Sequence, residues 1–320
     1  MTQCSVESLA IGEPLPGTAP RAKAWLVLEQ SGSYGFDALS DSQLPAEIRL
    51  ALAAAGKETG TTVVLARPVG KHADDISTGH RRFWLSHCAP GGSRMRTGVI
   101  PDSELTRPDL KEVLVAAAQG ELPPWGHKSS EPLLLVCTHA KRDVCCALAG
   151  RPLAQALAED PETRDSVMEV SHLGGHRFAP NVLLLPTGHV YGRIDADSAK
   201  AVLLGARRGK LLHPEFLRGR SSAASPGQVA AVAVRRQFGV DSLDTIDVLR
   251  RVGDRLVPFP LRWEGEQGRA DLEVRHLDGR AWSVSVVSSQ LAERRESCGK
   301  EPAPAVIWTV DRLDELPVWR

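Results

Sequence analysis

The chain has no excess of charge of either sign. Lys and Arg total 39 against 39 Asp and Glu in 320 residues, so no net field recommends nucleic acid or an anionic membrane as a partner. No apolar run approaches the roughly 18 residues of a membrane-crossing helix. Met1–Leu15 shows no basic region followed by an apolar core, so the sequence predicts no secretory signal. Cysteine is sparse, six in all, and no two form a Cys-x-x-Cys pair. Low-complexity tracts, short-period repeats and heptads are also lacking, as is a pair of carboxylates suited to glycoside chemistry. A signal-free chain with clustered thiols points to a reducing compartment, where cysteines bind metal or react rather than form disulfides. A cytoplasmic location is the expectation.

What is present is an ordinary globular composition, 42% hydrophobic and 24% charged, with length enough for two or three cores. After a Pro- and Gly-rich lead-in over residues 1–20, hydrophobic patterning predicts a strand at Trp25–Glu29, a helix over Leu44–Ala55 ended by Gly56, and strands at Thr61–Ala66, Arg82–Ser86 and Ser93–Ile100. A helix over Asp102–Gln119 closes this region at Gly120 and Pro123-Pro124. A similar order follows: strand Leu133–Val136, helix Cys146–Leu157, strand Val167–Ser171, a Gly-rich segment at His176, strands Val182–Leu185 and His189–Arg193 around Thr187-Gly188, and helix Ala196–Arg207.

The predicted class is therefore α/β (α+β). A thioredoxin-like β-α-β-α-β-β-α lobe spans 129–210, with a lobe of similar order at 21–124. Arg218–Ser222 and Ser225–Gly227 read as a linker. Beyond it, 222–320 reads as a small α+β appendage: helix Gln228–Phe238, a short helix over Leu243–Leu249, strands at Leu272–Leu277, Trp282–Val287 and Val306–Val310, and turns at Asp278-Gly279 and Gly265.

Chemistry concentrates between Glu131 and Arg193. The apolar run Leu133–Val136 delivers Cys137 to a strand end, and Cys145 and Cys146 fall in the first turn of the next helix. There, free N–H groups and the helix dipole favour thiolates. His172 and His176 follow, with Gly174-Gly175 between them to bend the backbone and turn both imidazoles inward. Two thiols and two imidazoles converging from separate loops are ligands for a metal or an iron–sulfur cluster. Cys88 and Cys298 read as inert buried hydrophobes, and Cys4 falls in the lead-in. His72, His80, His87, His127, His213 and His276 read as satisfied or surface groups. His139 sits beside the site, Lys141, Arg142 and Arg177 place positive charge near it, and Arg177 and Asn181 order the histidine loop.

The segment Cys137-Thr-His-Ala-Lys-Arg-Asp-Val-Cys-Cys146, followed by His172-Leu-Gly-Gly-His176-Arg-Phe-Ala-Pro-Asn181 and Leu185-Pro-Thr-Gly188 with Tyr191-Gly-Arg193, resembles the sucrase/ferredoxin-like family. The close match covers about residues 131–193, with weaker echoes at Trp25–Glu29, Trp84–Ser86 and Arg218–Ser221. The resemblance implies a thioredoxin-like ferredoxin domain carrying a [2Fe–2S] cluster on Cys137, Cys146, His172 and His176, with Cys145 as the competing thiolate. It implies an electron-transfer protein working with a redox partner protein that the sequence does not name. Two other readings use the same residues. One is a structural zinc site of Cys2His2 type; the other is a thiol oxidoreductase using Cys137 or the Cys145-Cys146 pair, against which the lack of Cys-x-x-Cys counts.

Overall fold

The computed structural model describes residues 3–56, 58–70, 79–263 and 268–317. Its elements in chain order are α1 (Cys4–Ala10), β1 (Ala24–Glu29), α2 (Ala38–Asp41), α3 (Ala46–Ala55), β2 (Thr61–Arg67), β3 (His80–His87), β4 (Arg94–Pro101), α4 (Leu110–Gln119) and β5 (His127–Ser129). Next come β6 (Leu133–Cys137), α5 (Val144–Glu159), β7 (Val167–Val170), β8 (Asn181–Leu185), β9 (His189–Gly192), α6 (Ala196–Arg207) and β10 (Leu217–Arg220). The last third holds α7 (Ser225–Phe238), β11 (Ile246–Val252), β12 (Arg255–Pro258), β13 (Arg269–His276), β14 (Ala281–Arg295) and β15 (Pro302–Glu315). The mixed α/β class expected from the sequence is the class observed.

Ten strands form one sheet in the order β10-β9-β8-β6-β7-β2-β1-β3-β4-β5. It contains the same arrangement twice. In the first half β1 pairs parallel with β2 and antiparallel with β3, which pairs antiparallel with β4. In the second half β6 pairs parallel with β7 and antiparallel with β8, which pairs antiparallel with β9. The halves meet through the corresponding strands β2 and β7, antiparallel at Ala66↔Val170 and Arg67↔Glu169. Pairing these strands removes two open sheet edges. The buried Arg67–Glu169 ion pair, 2.9 Å, lies at the join, and Thr138 Oγ1 donates to the same carboxylate at 2.9 Å.

The sheet carries apolar layers on both faces. One joins Trp25, Val27, Trp84, Leu135, Cys137 and Leu183 across both halves. On the other, α3 and α4 cover the first half, and α5 and α6 the second. Helix α5 lies close against β6 because residue 150 is glycine. A Cβ there would stand 2.1 Å from the Cys137 carbonyl oxygen.

Several sequence expectations need correction. The lead-in is not irregular throughout, since Cys4–Ala10 is helical. The helix expected over Asp102–Gln119 is divided: Asp102–Leu105 is a 3-10 turn and α4 begins at Leu110. Pro108 between them cannot donate a helical hydrogen bond. Of the two pieces read as a linker, Arg218–Ser222 falls on the edge strand β10 and the turn after it, and Ser225–Gly227 is the first turn of α7. The polar composition of β10 misled, because Arg218 and Arg220 are buried with internal partners. The expected helix at Leu243–Leu249 is strand β11, whose Ile246 and Val248 are buried in alternation, the period of a strand rather than a helix. The turn expected at Gly265 lies outside the described residues.

The C-terminal region is a second sheet, β12-β11-β13-β14-β15, wholly antiparallel. Helix α7 packs Val229, Ala230 and Val234 against its Val248, Val274, Trp282 and Val284. The long β14–β15 hairpin reaches back to α1. Arg294 near its tip binds Glu13 at 2.9 Å, and Arg295 pairs with Glu7.

Candidate functional site

Strand β6 ends at Cys137, and α5 begins seven residues later with Asp143 as N-cap, its Oδ1 accepting from the Cys145 N–H at 2.9 Å. An Asp at this position satisfies one of the donors that a helix start leaves open. Cys137 and Cys146 are both buried, 1% and 2% exposed. Cys146 Sγ lies 3.8 Å from His176 Nδ1, and the His172 and His176 rings are stacked with centroids 4.4 Å apart. Cys137 lies close enough to Cys146 and to the His172 ring for both to lower its thiol pKa. The structure thus brings together the four residues singled out in the sequence.

Electrostatics divide the pair of thiols. The hydrogen bond from Cys146 holds Cys137 well below the usual thiol range in spite of burial, with help from His172 and the His139 N–H. Cys146 keeps the shared proton, pushed up by that bond and by burial. Burial lowers His176 to about 4, so its imidazole is neutral near pH 7. A thiolate beside the neutral His176 imidazole is the protonation state in which these groups bind metal.

The histidine loop is held from behind by residues outside the motif. Gly174 and Gly175 both adopt positive φ, 77° and 73°, a conformation that favours glycine. Asn181 Nδ2 donates to the Gly175 carbonyl at 2.9 Å. The buried Arg218 donates to the Gly174 carbonyl at 3.0 Å and to Asn181 Oδ1 at 2.7 Å, and it also binds Thr18. A Cβ on Gly175 would meet the Arg218 guanidinium at 2.3 Å. Burial pulls Arg218 down to about 9.

Of the cationic residues expected near the site, Arg142 acts on His176 through its charge and Arg177 is paired with a carboxylate. Arg177 pairs with buried Glu13 at 2.9 Å, and the Arg142 guanidinium sits over the Phe36 ring at 4.7 Å. His139 donates through Nε2 to the Gly35 carbonyl at 2.8 Å.

A second cluster lies on the other side of the start of α5, and sequence reasoning missed it. Cys145 Sγ stands 3.6 Å from Cys4 Sγ and 3.4 Å from Cys298 Sγ, and Cys298 stands 3.6 Å from Cys4. Asp143 completes the group. Among the described residues, the ligand atoms of Cys4, Asp143, Cys145 and Cys298 all lie within 4.8 Å of one another, a set able to hold a metal ion. The Cys4 hydrogen bond draws the Cys145 thiol down to about 6 against the effect of burial, while burial pushes Cys298 up to about 11.

Cys298, expected from the sequence to be an inert buried hydrophobe, instead shares a cluster with Cys145 and with Cys4 from the lead-in. Nothing local marked them, because their partners are up to 294 positions away; Asp143 carried the one local signal, as a cap residue before a helix. Cys88 is buried in the apolar layer that also holds Cys137 and Cys146, its Sγ 3.8 Å from Ser86 Oγ. His72 lies outside the described residues.

The family model described as sucrase/ferredoxin-like matches residues 15–219. Among curated proteins the chain is similar to three proteins named "Altered inheritance of mitochondria protein 32". That of Eremothecium gossypii is 34% identical over 82 residues, 25% of this chain and 24% of the relative. That of Meyerozyma guilliermondii is 29% identical over 83 residues, 23% and 29% of the two chains. That of Candida glabrata is 35% identical over 68 residues, 20% and 22%. The matched segment spans about a quarter of the length of these relatives. No solved structure matches.

These findings overturn the expected function, an electron-transfer protein. The relatives are named for mitochondrial inheritance, and neither their names nor the family match carries an electron-carrier assignment. The physical reason is that thiolates and imidazoles suit zinc as well as iron, so the ligand types do not by themselves specify redox chemistry. None of the helices among the described residues is long and apolar enough to cross a membrane.

Proposed function

This chain belongs to the sucrase/ferredoxin-like family, and we propose that it is a metal-binding protein whose central lobe holds a soft metal centre on Cys137, Cys146, His172 and His176. The observation that carries this reading is the approach of Cys146 Sγ to 3.8 Å from His176 Nδ1 in a buried pocket. Three separate pieces of backbone meet there: the end of β6, the first turn of α5 and the histidine loop. The donor set passes the chemical test for such a centre, with a low-lying thiol at Cys137 and a neutral imidazole at His176.

For the cofactor itself we propose the [2Fe–2S] cluster that the family resemblance implies, since histidine ligation of such clusters is known chemistry. When bound, it supplies metal–ligand bonds that tie the three pieces together. The role assigned to this chain's residues is binding: Cys137 and Cys146 present sulfur, His172 and His176 present nitrogen, and Asn181 with Arg218 fixes the loop that carries the histidines. We further propose a reducing, cytoplasmic setting. All six cysteines are free, three of them packed within reach of one another, an arrangement that an oxidising compartment would convert to disulfide.

X-ray absorption at the edge of whatever metal copurifies tests the reading. A mixed sulfur and nitrogen shell with an iron neighbour supports the cluster. The same shell around zinc with no metal neighbour removes the cluster and keeps the centre. A shell without nitrogen overturns both.

A further inference from the structure

We propose a second, separate metal site: a single zinc-class divalent ion bound by Cys4, Cys145, Cys298 and the carboxylate of Asp143. The argument is geometric. A tetrahedral ion with metal–sulfur bonds of about 2.3 Å and a metal–oxygen bond of about 2.0 Å sets its sulfurs about 3.8 Å apart and its oxygen about 3.5 Å from each sulfur. The three sulfurs here are 3.6, 3.4 and 3.6 Å apart. Asp143 Oδ1 stands 3.9 Å from Cys4 Sγ and 3.3 Å from Cys298 Sγ, and the four ligand atoms lie within 4.8 Å of one another. Four donors from three distant parts of the chain thus stand near the corners of one tetrahedron.

The surroundings suit ligation by thiolate. The Cys4 main-chain N–H points to Cys298 Sγ at 3.4 Å, and Ser5 Oγ donates to Cys145 Sγ at 3.3 Å. Cys145 lies in the first turn of α5, where the helix dipole favours negative charge. The Asp143 carboxylate is held in place by the N–H groups of Cys145 and Cys298, both at 2.9 Å, and by Ser297 Oγ at 3.0 Å. These bonds do for the carboxylate what outer partners do at known metal sites, fixing its orientation. The sulfurs are too close together to bridge the corners of a four-iron cluster, and three thiolates with a carboxylate exclude the hard ions magnesium and calcium.

Binding releases to solvent the proton of each thiol that ligates, and the ion's oxidation state does not change. The consequence is mechanical. Cys4 belongs to α1, Asp143 and Cys145 to the start of α5, and Cys298 to the connection between β14 and β15. One ion would close a loop of 294 residues between Cys4 and Cys298 and clamp α1 and the hairpin onto the lobe that carries Cys137 and Cys146. Closing so long a loop is where a metal clip contributes most.

The test uses the full chain, stripped of metal under reducing conditions and then exposed to zinc alone, with alkylation of each cysteine read by peptide mass spectrometry. Zinc should slow alkylation of the partly exposed Cys298 by at least about tenfold, because a ligated thiolate is a poorer nucleophile than a free one. The protection of Cys298 should persist in Cys137→Ala, which separates this site from the one proposed above, and should vanish in Cys4→Ser. As a second readout, cobalt(II) added to Cys137→Ala should still give the intense visible absorption of a tetrahedral thiolate site, and its absence overturns the proposal. Unchanged alkylation of Cys298 with zinc overturns the proposal. So does a disulfide among Cys4, Cys145 and Cys298 in protein kept reduced throughout.

Discussion

Cys145 and Cys146 are adjacent in the chain, yet their sulfurs belong to different clusters. Cys146 Sγ faces His176 Nδ1 at 3.8 Å, and Cys145 Sγ faces Cys298 Sγ at 3.4 Å. Successive residues in a helix point about 100° apart, so a vicinal pair at a helix start cannot serve one compact site and instead divides between two. The division predicts separable effects. Cys146→Ser should lower the metal held through Cys137 and the histidines while leaving the reactivity of Cys298 unchanged. Cys145→Ser should do the reverse. Metal content and residue-mapped alkylation of the two variants check this, and a shared loss in both would show that the clusters act as one.

Glu13 joins the parts that surround the histidine loop. Its buried carboxylate accepts from Arg177 and Arg294 and from Ser8 Oγ at 2.7 Å. Glu13→Gln leaves two largely buried guanidinium groups without their counter-charge and should destabilise the fold by about 3 kcal/mol. Burial acts to raise the Glu13 carboxyl, but the hydrogen bond from Arg294 and the charge of Arg177 outweigh it, and the group titrates below its ordinary range. A carboxylate depressed on folding contributes stability that is fully present above its unfolded pKa, about 4.3. That contribution is lost as pH falls through the lower folded value. Denaturant unfolding measured down the acid range should therefore show a loss of stability that Glu13→Gln flattens.

Arg218 supports the histidine loop without touching its imidazoles. Arg218→Lys keeps the charge but cannot reach the Gly174 carbonyl, Asn181 and Thr18 together, since lysine offers a single point charge in place of a planar fork. Loss of an outer partner of this kind weakens metal binding by roughly 10- to 100-fold. Competition titrations with a chromophoric chelator should show that loss with the metal stoichiometry unchanged.

Gly150 sets the distance between α5 and β6. In Gly150→Ala the new Cβ would stand 2.1 Å from the Cys137 carbonyl oxygen, so the helix must shift away from the strand end. Overpacking of this kind costs about 1–3 kcal/mol. A lower thermal midpoint together with reduced metal binding is expected, because the same shift separates Cys137 from Cys146.

Much of this was legible in the chain. The apolar run at Leu133–Val136, the cysteines of the α5 first turn and the glycines between the histidines gave the elements that carry the candidate ligands, because each signal is local. The α/β class and the repeated element order were legible for the same reason. What escaped depended on distance. Arg218 looked like part of a polar linker, since its burial depends on partners 37 and 200 positions away. Cys298 looked inert and Cys4 looked like part of an irregular lead-in, because neither has a ligand-bearing neighbour in sequence. The junction of β2 with β7, which makes two lobes one sheet, depends on a pairing of 102 positions at Arg67 and Glu169, and no short-range pattern announces it.

The central claim is that Cys137, Cys146, His172 and His176 together bind metal. The most direct measurement is metal per chain, by elemental analysis, in protein purified without oxygen as the unaltered chain and as Cys146→Ser, His176→Ala and Cys88→Ser. The first two substitutions should remove the iron or zinc assigned to this site, and Cys88→Ser, whose sulfur faces Ser86 Oγ at 3.8 Å, should retain it. Full metal content in both Cys146→Ser and His176→Ala would contradict it.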